Sequence, residues 1–122
     1  MIMKGYEVKD GIRASVVKSL PLIMEIGNED LREKVIDAWA ISLSENNFNC
    51  LEEVPGLPGL AQYCDLSRHI TAVAKMALSM SEIFDEALTE PLNLDRDLLL
   101  ACALCHDLGN PYEYNLTKRV QW

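Results

Sequence analysis

Residues Leu98 to Pro111 read LLLACALCHDLGNP, and how this stretch is divided decides the fold. Its first eight residues are apolar, none is β-branched, and Asp95 and Asp97 lie just before or at its start. Unbranched side chains lose little rotamer freedom in a helix, and early carboxylates offset the positive end of its dipole. A helix buried on most sides is therefore expected over 98–105, capped by Asn93 or Asp95 and stopped by Gly109 and Pro111.

The upstream segments follow the same logic. Leu31, Val35, Trp39 and Leu43 recur every four residues beside Ile36 and Ala40, which predicts a helix over about 29–45 capped by Asn28. Ile70, Val73, Ala74, Ala77, Leu78, Met80, Ile83 and Phe84 keep the same period, predicting a helix over about 67–87 with Asp65 as its cap. An earlier helix is expected from Arg13 to about Ile26, with Pro21 either kinking it or opening a second short helix. Residues 48–59, with two Pro-Gly-like breaks, are expected as a loop, and 60–64 as a short helix. Residues 1–12, interrupted by Gly5 and Gly11, are expected as an irregular arm. No alternating β-branched run occurs, so the expected fold is all-α, a single helical domain over 1–122 with its site in about 60–112.

Composition narrows the function. The 122 residues are 49% hydrophobic and carry 19 acidic against 11 basic residues, a formal net charge of −8. Without a Lys/Arg cluster, neither a nucleic-acid backbone nor an anionic membrane is an expected partner. A small anion remains open to a protein whose bound cation reverses the local charge. The N-terminus lacks the apolar run of a signal peptide and no window suits a membrane span, so a cytoplasmic location is expected, with Cys50, Cys64, Cys102 and Cys105 as thiols.

Cys102 to His106 also satisfies the haem-attachment pattern Cys-x-x-Cys-His. That chemistry normally goes with export, and it would draw both thiols out of the most apolar run of the chain. Cys102 and Cys105 are better read as core filler, and a cysteine-based metal site involving Cys64 as a minor alternative. His106 and Asp107 can instead converge on one cation at a helix end. The other histidine, His69, begins the preceding long helix. If the two helices pack antiparallel across their short connector, His69 meets His106 at the same end of the pair. The lengths match imperfectly, ~27 Å from His69 to Ala87 against ~17 Å from Asp95 to His106. Two imidazoles and a carboxylate suit one divalent ion, Mn, Fe, Ni or Zn, with positions left for a water nucleophile.

The His-led helix DLSRHITAVAKMA, followed after 37 residues by ACALCHDLGNP, resembles the metal-dependent HD-domain phosphohydrolase superfamily. The resemblance implies an HD-domain-like helical bundle in which His69, His106 and Asp107 bind the metal, with Asp107 serving the reaction, and a small phosphorylated substrate, often a nucleotide. It also implies that Arg68 contacts the phosphate and that Asn110 and Tyr112 stand at the substrate rim. Their bland alternatives are a solvent-facing arginine, a helix stop and a cover for apolar surface.

The family pattern ends on a further aspartate tens of residues later, whereas the remaining LGNPYEYNLTKRVQW contains none. A bundle incomplete at its C-terminus is the first expectation. A ligand from a second copy, or a non-catalytic binding protein with a degenerate, weakly held metal, are the others. An incomplete bundle leaves apolar helix faces uncovered, so a homo-oligomer, a dimer above all, is expected.

Overall fold

Pro21 divides the first apolar segment in two. In the computed structural model, which describes residues 2–3, 5–60 and 62–115, helix α1 (Ile12–Ser19) ends at Leu20. The φ and ψ of Leu20, −124° and 70°, lie outside the helical region, as crowding by the proline ring requires. Pro21 then opens a 3₁₀ helix (Pro21–Glu25), at a position where its missing amide hydrogen is no loss. The second of the two expectations for Pro21 is therefore the one observed.

Before α1, the arm is more ordered than expected. Strands β1 (Ile2–Met3) and β2 (Tyr6–Glu7) form an antiparallel ribbon with Met3 opposite Tyr6, and Gly5 supplies a left-handed φ of +83° between them. Val8 follows into the core, 1% exposed.

Helix α2 (Glu29–Glu45) is the spine of an all-helical bundle. Asn28 caps it by accepting from the Leu31 amide at 3.0 Å. Its buried residues include Val35, Ile36, Trp39, Ala40 and Leu43, the stripe that the four-residue spacing predicts, although Leu31 is only partly buried. On the α1 side, the Arg13 guanidinium forks between Glu33 and Asp37.

The expected loop after α2 contains a 3₁₀ turn (Leu51–Glu53) whose Leu51 is fully buried, while at the expected 60–64 helix the Tyr63 and Cys64 amides donate to the Leu60 carbonyl in a turn, with no helix there among the described residues. The loop returns to pair Pro55 with Asp65 as an isolated bridge. Helix α3 (Leu66–Ala87) starts there, capped by Asp65, which accepts from the Arg68 amide at 3.1 Å. Connector 88–95 runs back in non-helical conformation, which absorbs the length mismatch between α3 and the shorter α4 (Arg96–Cys105).

Two expectations for α4 need correction. Leu100, Ala101, Ala103 and Leu104 are buried, but Leu98 is 52% exposed and Cys102 is exposed, so one side of α4 is open. Cys102 is thus not core filler; only Cys105 packs against the core. Gly109 and Pro111 do not stop the chain's helical course either. Gly109 sits at φ −77°, ψ −16°, and Pro111 lies in the first turn of α5 (Asn110–Glu113). A proline near a helix start costs no hydrogen bond, which is why the same residue can read as a stop or a start. Among the described residues, no helix is long and apolar enough to cross a membrane.

Asp97 does more than favour the first turn of α4. Its carboxylate accepts from the Gly27 amide at 3.0 Å and the Asn28 amide at 2.8 Å, tying α4 to the start of α2. These two backbone donors hold its pKa below the usual value. The ionised form therefore stabilises the fold above the unfolded-state pKa, and that contribution disappears as pH falls through the lower folded value. Asp97→Asn is expected to flatten the acid limb of the stability-versus-pH curve, measured by thermal unfolding between pH 2 and 7.

Gly56 is the tightest point of the loop. A Cβ there would meet the Asp65 carbonyl oxygen at 2.4 Å and the Cys64 carbonyl oxygen at 2.9 Å, both backbone atoms that cannot swing aside. Gly56→Ala should cost about 1–3 kcal/mol in denaturant unfolding, since α3 must shift to make room.

Candidate metal centre

The end of α4 is where backbone carbonyls run out of intrahelical donors. Two of them, and the Leu108 carbonyl in the turn that follows, find other partners. Trp39 Nε1 donates to the Leu104 carbonyl at 2.9 Å, Ser42 Oγ donates to the Leu108 carbonyl at 2.8 Å, and His106 Nδ1 lies 2.7 Å from the Ala103 carbonyl. A carbonyl can only accept, so Nδ1 is the donor in the last contact, and His106 Nε2 points away from its own helix.

It points at His69 and Asp107. His69 rides in the first turn of α3, which packs along α4 in the antiparallel sense that the short connector predicts. His69 Nε2 is 2.9 Å from Asp107 Oδ2, His106 Nε2 is 3.0 Å from the same oxygen, and the two Nε2 atoms are 3.4 Å apart. The side chains are 22%, 34% and 24% exposed for His69, His106 and Asp107, so the cluster is sheltered yet open on one side. Among the described residues, this is the one group of His, Cys, Asp and Glu side chains close enough to hold a metal.

The triangle suits an ion. Donor atoms at ~2.1 Å from a metal lie ~3.0 Å apart at right angles and ~3.4 Å apart at tetrahedral angles. Three edges of 2.9, 3.0 and 3.4 Å form one face of such a shell and leave the opposite side free. A His/His/Asp donor set that can coordinate a metal ion is thus in place.

The other sequence-derived site residues are less closely joined to it. Arg68 is exposed and its Nε lies 3.6 Å from Asp65 Oδ2. Asn110 is partly buried and tied by its backbone, its amide donating to the Asp107 carbonyl at 2.9 Å. Tyr112 turns to α2, where its hydroxyl donates to Glu45; burial and that carboxylate raise its pKa to about 12. Tyr112 is therefore neutral at any physiological pH. Cys64 stays outside the cluster, its thiol 3.5 Å from the Asp65 carbonyl. Burial pushes the Cys105 thiol up to about 11, which disfavours the thiolate that a soft metal or haem chemistry needs.

Trp39 and Ser42 are the site residues that sequence reasoning missed. Trp39 reads as plain core at its stripe position, and Ser42 carries no signal, because their value lies in donors that reach a helix distant in sequence.

The HD-domain family model matches residues 66–120, the segment that holds all three cluster residues. The match covers a little under half of the chain, and within it the His69, His106 and Asp107 cluster is consistent with a partial metal site. The chain is 30% identical to the dihydroneopterin 2',3'-cyclic phosphate phosphodiesterase of Methanocaldococcus jannaschii, over 78% of this chain and 40% of that protein. It thus spans about two fifths of that relative's length. No solved structure matches the chain significantly.

Ion binding should register as stability. A divalent ion present at one hundred times its Kd is expected to add about 2.7 kcal/mol to unfolding. That increment should vanish in His69→Ala, His106→Ala and Asp107→Ala, as read by thermal shift with Mn, Ni and Zn.

Proposed function

We propose that the protein hydrolyses a phosphate ester of a small molecule, using one divalent ion held by His69, His106 and Asp107. The observation that carries this reading is the convergence of three donor atoms, from the start of α3 and from the turn that ends α4, inside the segment that matches the HD domain. The relative's substrate is a cyclic phosphate diester, which makes that class the first to test here.

When bound, the ion supplies an activated water and a Lewis acid for a phosphoryl oxygen. The chain's own groups supply orientation. His106 is aimed by the Ala103 carbonyl, and His69 is aimed by the start of α3, where the Asp65 cap and the Leu66 amide's bond to the Val54 carbonyl at 2.8 Å fix the first turn. Asp107 brings the negative charge that neutral imidazoles lack, and its single oxygen Oδ2 faces both of them. Arg68, next to His69 and exposed on a long stem, is the group free to reach a phosphate oxygen from α3. Asn110 and Tyr112 follow on the α5 side; Tyr112 can donate to substrate only by leaving Glu45, and being neutral it acts as a donor and not as a base.

A second reading, a binding protein that keeps the fold without turnover, is favoured by the three-member donor set among the described residues. Rates measured with a panel of nucleoside 2',3'-cyclic phosphates, phosphate monoesters and nucleoside triphosphates, in Mn, Fe, Ni or Zn, separate the two. Hydrolysis is expected for at least one class and should fall about 100-fold or more in His106→Ala and Asp107→Ala. Metal-loaded protein no faster than these variants on every ester would establish the binding reading.

A further inference from the structure

Among the described residues, the outward face of α3 carries an unpartnered seam that starts at the metal centre. His69, Ala72, Met76, Ser79, Ile83 and Glu86 are spaced three, four, three, four and three, the alternation of a helix that packs along another helix. Beyond the partly buried His69, all of them are exposed, with Met76 at 56% and Ile83 at 61%. The spacing reads the same in both directions, so two copies of α3 can lie antiparallel about a two-fold axis in one register. Ala72 then faces Ile83 of the partner subunit, and Met76 faces Ser79 of the partner subunit.

Charge favours that arrangement. Arg68 and Lys75 are the only basic residues between 35 and 95, and both lie in the first half of α3; Glu82, Asp85 and Glu86 fill the second half. This polarity opposes the helix dipole, which favours acids early and bases late, so it does not serve α3 by itself. Among the described residues, Lys75, Glu82 and Glu86 have no ion-pair partner. In the antiparallel register, Lys75 flanks the seam beside the partner's Glu82, and symmetry repeats the pair.

The same register places the partner's Glu86 opposite His69. We propose that the protein is a two-fold dimer through α3 and that each metal centre is completed by the Glu86 carboxylate of the other copy. The chemistry is consistent: the cluster of His69, His106 and Asp107 leaves one side free, and a hard oxygen donor suits the ions that the two imidazoles and one carboxylate suit. The metal part rests on the function proposed above; the pairing of helices does not.

Sedimentation equilibrium and metal titration by calorimetry test both parts. A dimer at micromolar concentration is expected, weakened roughly tenfold by Lys75→Glu and restored when Glu82→Lys is added. Glu86→Gln should retain the dimer and weaken metal binding about tenfold, whereas His106→Ala should retain the dimer and lose the metal. A monomer at tens of micromolar, or a dimer indifferent to the charge reversal, overturns the pairing. A Glu86→Gln dimer with wild-type metal affinity overturns the shared ligand. If the wild-type dimer takes no metal, the metal centre itself is refuted, and the charge reversal still judges the interface.

Discussion

The structure depends on α4 being held at both of its ends by groups from the α2 region. At the start, Asp97 accepts from the Gly27 and Asn28 amides; at the finish, Trp39 and Ser42 donate to the Leu104 and Leu108 carbonyls. Each bond engages backbone groups near an element end, where a helix or loop leaves them without a regular partner. A buried carbonyl deprived of its donor costs about 1–3 kcal/mol, so these contacts specify where α4 begins and where it must stop. His106 and Asp107 inherit their positions from that stop.

The second half of the site is set by a different constraint. His69 lies in the first turn of α3, and α3 begins where the loop 48–64 closes on Asp65 through Gly56. Only a residue without a Cβ lets two backbones approach so closely. The donor triangle is thus made by two independent devices, a clamped helix end and a closed loop, and the antiparallel packing of α3 on α4 brings them together.

Much of this was legible in the sequence. The four-residue spacing from Leu31 to Leu43 marked α2, the caps Asn28, Asp65 and Asp95 marked three helix starts, and the two histidines marked the shared end of α3 and α4. Other features were not legible. The ribbon of β1 and β2 is two residues per strand, too short for any period to show. Cys102 belongs to a run of eight apolar residues, and a uniformly apolar run does not say which side faces the core. Pro111 could close one helix or open the next, since proline is tolerated at a first turn and near a helix end alike.

By itself, the sequence determined the long helices, their caps and the three donor residues, because helical periodicity and capping are local properties of neighbouring side chains. Only the tertiary structure decided the triangle's edges, the contact of His106 Nδ1 with the Ala103 carbonyl and the bond of Tyr112 to Glu45. It also decided that the open sides of α3 and α4 remain exposed. These depend on contacts between residues tens of positions apart, and such distances follow from packing, which no local pattern encodes.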